Sequence, residues 1–499
     1  MLDSQISKPS NLVLTLTLVA SILGFMFGYD TGYISSVLVT VGKDLDGRYL
    51  TIPEKEWISS ATSLGAFLAS LVAGPLADAY GRKPSVMLCD VLFVTGALMQ
   101  FFANHVHWMI SGRFVMGCGV GAGSLLAPLY ISELAPGKFR GRLVTINCLA
   151  ITGGQLIAYM IGALLSRVNS GWRYIVVLSL VPCAVQFIVI LFLPDTPRFL
   201  VMHGKHKEAS SVLQQVYPTA SPGLIEANIE EIAALNSLLP GDNAYQRLSN
   251  GIQELFTSPS NRRALFIGCG LQAAQQFVGF NAIMYFSGSI FEMVGFRNST
   301  AVSCLTAGTN FLFTVVSLFI IDKVGRRNIL LVSIPFLILS QILCALAFGH
   351  LTINVESGKE IGENSEFWAY LVTIGLVSFV ASYATGLGNV PWHQSELFPQ
   401  SVRGLGSSFA TATNWFGSMI VSASFLTLMK SLTPCGTFLL FAAVTAIPLV
   451  TIYFTYPELG SLQLEEVEQL LSNGFNVKRS IEMHRQAISH AGYTGIPYE

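Results

Sequence analysis

Ser132-Glu133-Leu134-Ala135-Pro136, followed by Arg140-Gly141, recurs later in the chain as Ser395-Glu396-Leu397-Phe398-Pro399, followed by Arg403-Gly404. A second pair accompanies it: Asp78 with Gly81-Arg82-Lys83 matches Asp322 with Gly325-Arg326-Arg327. The Asp-to-Arg piece follows the second long apolar stretch of its half, and the Ser-Glu-Leu piece follows the fourth. Order and spacing are therefore duplicated in parallel. In a membrane chain, duplicated halves are a transporter architecture whose solute site lies near the midplane between them.

That the chain is a membrane protein follows from its composition. The 499 residues are 52% hydrophobic and only 11% charged, whereas soluble domains carry about 25% charged residues. A membrane span needs roughly 20 mostly apolar residues, and about twelve such stretches are present, including Tyr174 to Leu193, Ala264 to Phe291 and Phe367 to Gln394. The first, from about Leu12, is not followed by a small-residue cleavage pattern and reads as a retained helix. Positive and negative side chains nearly cancel, with no basic block, which removes the footprint of a nucleic-acid binder. The eight cysteines are scattered singly without metal-ligand spacing and read as small buried apolar residues.

These stretches predict an all-α protein of twelve transmembrane helices in two six-helix halves. Residues 1–10 form an N-terminal tail, 11–194 the first half, 195–263 a polar linker with helical pieces, 264–456 the second half and 457–499 a C-terminal tail. Lys and Arg cluster in the loops after the even-numbered helices (Arg82 and Lys83; Lys138, Arg140 and Arg142; Arg198 through Lys207; Lys323, Arg326 and Arg327; Arg403). Positive loops stay inside, so linker and termini are expected in the cytoplasm. The Asn298-Ser299-Thr300 sequon then falls outside, and Asn298 is a candidate glycosylation acceptor.

The ordered motifs resemble the sugar porter family of the major facilitator superfamily, and the resemblance covers nearly every helix. It rests on Gly28-Tyr29-Asp30, Gly81-Arg82-Lys83, Arg113, Glu133 with Arg140-Gly141-Arg142, Pro194-Asp195-Thr196-Pro197-Arg198, Gln275-Gln276 with Asn281, Gly325-Arg326-Arg327, Pro391-Trp392 and Pro457-Glu458. Within the family, Gly388 through Pro399 and the ending Pro457-Glu458-Leu459-Gly460 resemble the fungal myo-inositol/proton symporters more than hexose carriers. The chain departs from the pattern at Ala79, where an arginine is usual, and at Asp195 and Thr196, where glutamate and serine are commoner. The resemblance implies the major facilitator fold and carriage of a small neutral polyol or sugar, without a cofactor or metal.

Asp30 sits in the middle third of an otherwise uncharged helix, where a carboxylate costs at least ~2.5 kcal/mol, so it needs a partner and a purpose. Arg113, toward the outer part of helix four, is the natural partner. A carboxylate near Arg is favoured in its charged form and one shielded from it in its neutral form. A motion that changes their separation would therefore bind and release a proton. The competing reading is a permanent ion pair locking helices one and four. One coupled proton is worth about 2.3 kcal/mol per 100 mV and about 1.4 kcal/mol per pH unit, enough together for roughly 500-fold accumulation.

A neutral polyol needs groups that both donate and accept, which amides supply. Gln155, Gln275, Gln276, Asn281, Asn310 and Asn414 stand at membrane depth, and the resemblance raises them from interhelical hydrogen bonds, worth about 0.6 kcal/mol each, to solute contacts. Gln275, Gln276 and Asn281 share a face only if helix seven is irregular, which Gly279 permits. Trp392 offers an indole to cover a ring, with ordinary packing as its rival role. Phe27 and Tyr285 are weaker versions, Tyr285 as an outer gate. His393 is not at a position the family uses. Glu133 with Arg140 and Arg142, Glu396 with Arg403, and Arg82 with Arg326 lie on the cytoplasmic edge, where cross-half ion pairs would close an inner gate if several act together. Glycines 117, 119, 121 and 123 suggest close helix packing, since no strand precedes them and no Lys-Ser/Thr follows. No catalytic triad, zinc motif or Walker loop is present, which argues against an enzyme.

The expected function is proton-coupled import of myo-inositol, or a related polyol or hexose, by alternating access through a multi-pass protein, the plasma membrane being the default location. The alternatives are a hexose carrier, symporting or facilitative, and a non-transporting nutrient receptor.

Overall fold

Helix starts and stops follow local chemistry. The computed structural model describes residues 8–237, 244–351, 353–354, 359–360, 366–399, 401–460, 462 and 464–490. Helix α1 (Asn11–Thr40) begins where Ser10 accepts the Val13 N–H at 3.4 Å. Helix α2 (Ile52–Tyr80) begins at a Thr51/Glu54 capping box with Pro53 in its first turn, a reciprocal arrangement that satisfies otherwise orphaned N–H groups. The chain turns at Gly81 into α3 (Arg82–Phe101), then runs through α4 (Val106–Leu134) and α5 (Gly137–Leu165). The predicted sixth span is two pieces, α6 (Gly171–Leu178) and α7 (Leu180–Leu191), separated at Ser179, whose hydroxyl donates back to Val176 O at 2.6 Å.

Four short helices cover the polar middle of the chain: α8 (Pro197–Met202), α9 (His206–Val216), α10 (Pro222–Ser237) and α11 (Ala244–Thr257). The seventh span breaks where Gly279 was expected to allow it. Helix α12 (Pro259–Phe277) stops, Gly279 takes φ +89°, and α13 (Phe280–Met293) continues. The second half proceeds through α14 (Ser299–Val324), α15 (Arg326–Gly349) and α16 (Glu366–Thr385). A two-residue antiparallel ladder pairs Ile353–Asn354 with Lys359–Glu360 between the last two. The single helix expected from Phe367 to Gln394 is not found. Helix α16 ends at Thr385, and a 3-10 turn over Val390–Glu396 follows. Gly386 and Gly388 precede that turn, and Pro391 has no N–H to continue a helical ladder. Helices α17 (Arg403–Ser431), α18 (Thr433–Thr455), α19 (Leu464–Ser472) and α20 (Val477–His490) complete the chain.

Among the described residues, ten segments are individually long and apolar enough to cross a membrane. The broken α12/α13 pair and the Ser- and Thr-rich α17 bring the count to the twelve of the major facilitator fold. Helices α1, α2, α4 and α5 pack on one another, as do α12, α15, α16, α17 and α18, and the two sets meet along α2 with α17, α5 with α14 and α1 with α13. Glycine makes the tightest contacts possible: a Cβ on Gly28 would lie 1.8 Å from Ile151 O, and one on Gly121 2.3 Å from Ala66 Cα. The eight cysteines are free thiols.

Candidate solute cavity

Because the spans alternate in direction, Arg82 and Arg326 mark one end of the bundle, hereafter the basic end, and Glu56 and Thr427 mark the far end. Between them, at the seam of the two halves, lies a cavity of about 60 Å³. Phe27, Gly28 and Thr31 of α1 line it on one side, with Cys148, Ile151 and Gln155 of α5. Opposite stand Gln275, Gln276, Phe280 and Asn281 around the helix break, Asn310 of α14, and Trp392 of the 3-10 turn. A smaller cavity shares Phe27, Ile151 and Trp392 and continues past Gly24, Pro128 and Asn147 toward the basic end.

The helix break decides which amides point inward. With Gly279 in a left-handed conformation, Gln275 and Gln276 at the end of α12 and Asn281 at the start of α13 all reach the cavity, which a straight helix would forbid. The amides then orient one another. Asn281 Nδ2 donates to Gln276 Oε1 at 2.7 Å, and Gln276 Nε2 donates to Asn414 Oδ1 at 3.1 Å. Asn414 Nδ2 donates to both Gln275 Oε1 and Gln272 Oε1 at 2.6 Å. Gln272 donates to Gln394 Oε1 at 2.8 Å, and Gln394 donates to Thr411 Oγ1 at 2.9 Å. Gln275 Nε2 donates to Leu387 O at 2.8 Å, carried by the chain between α16 and the 3-10 turn. Across the seam, Asn310 Nδ2 donates to Gln155 Oε1 at 2.7 Å. Hydrogen-bonded amides buried in this way have few orientations, so the polar atoms they leave facing the cavity are held in place.

The expected residues thus separate into layers. Gln155, Gln275, Gln276, Asn281, Asn310, Trp392 and Phe27 face the cavity. Asn414 is buried a layer behind, holding three glutamines. Tyr285 is 1% exposed and lies outside the lining. His393 is half-buried beside Asn389 O, not on the cavity. Gln272 and Gln394 were missed, although Gln272 precedes Gln275 and Gln276 by one helical turn. Phe280 and Tyr383 were missed as well; their rings stack at 3.7 Å along one wall.

Asp30 and Arg113 are in direct contact, the guanidinium donating through Nη1 to Asp30 Oδ1. Arg113 also donates to Tyr33 Oη at 2.9 Å and to Ile58 O at 3.1 Å, and Tyr33 donates to Gln100 Oε1 at 2.8 Å. Both charges are almost fully buried inside the first half. Residues 27, 28 and 31 share one face of α1, while Asp30 lies about 60° beyond the edge of that face, and neither Asp30 nor Arg113 lines the cavity.

At the basic end, where cross-half ion pairs were expected, the ion pairs described for Arg82 and Arg326 run within each half. Arg82 Nη2 pairs with Glu133 and Asp78, both at 2.7 Å, and Arg326 Nη2 pairs with Glu396 at 3.5 Å; each pair stays within its own half. The reason is reach: the Ser-Glu-Leu motif, at the end of α4 in the first half and of the 3-10 turn in the second, lies beside the Gly-Arg turn of the same half. Arg403 opens α17, and the side chains of Arg140 and Arg142 lie outside the described residues. Asn298 is exposed at the start of α14, with its Oδ1 accepting from Thr300 Oγ1 at 3.3 Å.

A protein-family profile described as "Sugar (and other) transporter" matches residues 16–471. Myo-inositol transporter 1 of Saccharomyces cerevisiae is 52% identical over 473 residues, covering 94% of this chain and 81% of that one. Myo-inositol transporter 1 of Candida albicans is 49% identical over 488 residues, covering 98% and 88%. Among solved structures, the proton:xylose symporter XylE bound to 6-bromo-6-deoxy-D-glucose superposes with a TM-score of 0.75 at 23% identity, covering 92% of this chain and 99% of that one. The partially occluded inward open conformation of XylE from E. coli gives 0.74 at the same identity, covering 90% and 99%. The chain has the major facilitator fold and belongs to the sugar (and other) transporter family.

Proposed function

We propose that this protein imports myo-inositol, or a closely related polyol, together with a proton, by alternating access through a multi-pass position in the plasma membrane with both termini in the cytoplasm. The observation that carries the reading is the cavity itself. It sits on the seam between the halves and is lined by neutral amides and aromatic rings, which suits a ligand with many hydroxyls and no charge. Two relatives of about half identity named as myo-inositol transporters support the choice of solute.

In this reading Gln155, Gln275, Gln276, Asn281 and Asn310 bind hydroxyls, Trp392 and Phe27 cover the ring, and Asn414 holds the glutamines. Tyr285, buried toward the far end, closes the site from outside. Asp30 carries the proton and Arg113 tunes it: the pair is buried in this conformation, and any shift of α1 against α4 alters the balance between their attraction and the cost of burial. Glu133, Arg82, Arg140, Arg142, Arg326, Glu396 and Arg403 form the inner gate, in which Arg82 pairs with Glu133 on one half and Arg326 with Glu396 on the other. The exposed Asn298 is a glycosylation acceptor on the outer face.

Uptake of labelled myo-inositol and glucose at acidic and neutral outside pH, in cells without their own carriers, tests the reading. Inositol accumulation that rises with acidity and falls to equilibration in Asp30→Asn is expected. Preference for glucose, or uptake indifferent to pH and to the substitution, overturns it in favour of a facilitative sugar carrier.

A further inference from the structure

Closure at the far end depends on contacts between the halves, and these differ in chemistry. Ser35 and Ser287 meet at 2.9 Å, and Tyr159 bonds to Met284 O and, at 2.9 Å, to Ser287. Each joins neutral groups. Glu56 of α2 is different. Its Oε1 accepts the backbone N–H of Thr427 at 2.7 Å and its Oε2 accepts the Thr427 hydroxyl at 2.7 Å, so both oxygens bond across to the opposite half. The side chain is buried, and no ion pair of Glu56 with Lys, Arg or His occurs among the described residues. Hydrogen bonds to an ionised acceptor are about twice as strong as neutral ones, and those found for Glu56 all reach across to α17, so they are lost when the halves part. The same face of α2 carries Ser63, two turns on, which meets Ser418 of α17 at 3.0 Å; Ser418 in turn accepts from the cavity residue Asn281 at 3.2 Å.

We propose that Glu56 is the outer latch of the transport cycle: its carboxylate clasps Thr427 across the seam of α2 and α17, biases the carrier toward the state closed at the far end, and must release Thr427 for the solute to enter from outside. The inference rests on the sidedness and alternating access proposed above, but not on the identity of the solute or on a coupled proton.

The test therefore uses neither solute nor pH gradient. Ser35→Cys places a thiol in the closed seam, and its reaction with a membrane-impermeant maleimide added outside intact cells reports opening, with the chain lacking that substitution as the background. Adding Glu56→Ala is expected to raise the labelling rate about tenfold, as loss of hydrogen bonds to a charged group implies. Thr427→Val, which removes the hydroxyl but keeps the N–H, should raise it by a smaller factor, and the double variant should not exceed Glu56→Ala alone. Labelling unchanged in both single variants at equal surface abundance overturns the latch, as does a double variant equal to the product of the two. Should Glu56→Ala fail to reach the surface, Thr427→Val decides the question. Reaction only with reagent delivered to the cytoplasmic side would instead show the assumed sidedness reversed, and the latch as an outer gate would fall with it.

Discussion

The two halves carry the same turn at the basic end and bury it to different depths. Gly81 and Gly325 both have positive φ, 105° and 91°, and a Cβ on either would lie 2.3 and 2.4 Å from a carboxylate oxygen of Asp195 and Glu458 respectively. Asp195 accepts the backbone N–H groups of Arg82 and Lys83 at 3.1 and 3.3 Å; Glu458 accepts those of Arg326 and Arg327 at 3.0 and 2.9 Å. Each acid thereby neutralises the orphaned N–H groups opening α3 or α15, where the helix dipole favours negative charge. The ion pairs above the turns are not equal. Arg82 and Glu133 have side chains 2% and 6% exposed and meet at 2.7 Å, whereas Arg326 and Glu396 are 13% and 36% exposed and meet at 3.5 Å. The second half compensates with its tail: Ser480 accepts the Glu458 N–H at 2.9 Å, and His484 meets Gly460 O at 2.6 Å. Repeated sequence reproduces backbone geometry, but the worth of a charge pair depends on what covers it.

The hardest way to break the symmetry is at the turns. Gly81→Ala and Gly325→Ala each force a side chain into a backbone region almost reserved for glycine and against a carboxylate, at about 3 kcal/mol or more. Comparable losses of melting temperature and of folded protein at the membrane are expected in both halves; a tolerated alanine in either would show that the two turns are not equivalent. Glu133→Gln removes one of the two carboxylates paired with the buried Arg82 and should cost about 2 kcal/mol, whereas Glu396→Gln at the more exposed pair should cost about 0.5 kcal/mol or less. Equal melting shifts for the two would erase the distinction drawn from burial.

Ser480→Ala strands the buried Glu458 N–H and should cost about 1 kcal/mol, read as a melting shift smaller than that of Glu133→Gln. If the shift is absent, the tail does not support the second cluster. The smallest effect concerns Asp195, whose carboxyl burial pushes above the usual aspartate range, against the backbone N–H groups and Arg82 that lower it. A raised value in the folded state means that folding favours the protonated form. That contribution is fully present below the usual aspartate value of about 3.9 and is lost as pH rises through the raised one. The melting temperature of the native chain minus that of Asp195→Asn should therefore rise on acidification from neutral pH toward about pH 4. A difference that falls would mean the N–H groups outweigh burial.

Legibility followed the range of the interactions. Glycine 279 announced the break of the seventh span because a left-handed residue is a local event, and the break explains how three amides at awkward spacing reach one cavity. The end of the tenth span was read too far, since the apolar run through Val390 and Pro391 hides two glycines that turn the chain first. The partner of Asp30 was legible because a buried acid in lipid has few candidates. The partners of Arg82 and Arg326 were not, because many carboxylates share the basic end and only packing chooses among them.

Taken alone, the sequence determined that this is a membrane chain of two repeated six-helix halves, since apolar run length and motif duplication are properties of order along the chain. It also marked the amide-bearing helices, because polar groups at membrane depth stand out against their surroundings. Tertiary structure alone decided that Asn414 and Gln272 stand behind the cavity and not on it, that the basic-end charges pair within halves, and that Glu56 reaches across to Thr427. Those outcomes depend on which helix faces lie within a hydrogen bond's 3 Å of one another, a distance set by the close approach of glycine-bearing helices far apart in the chain.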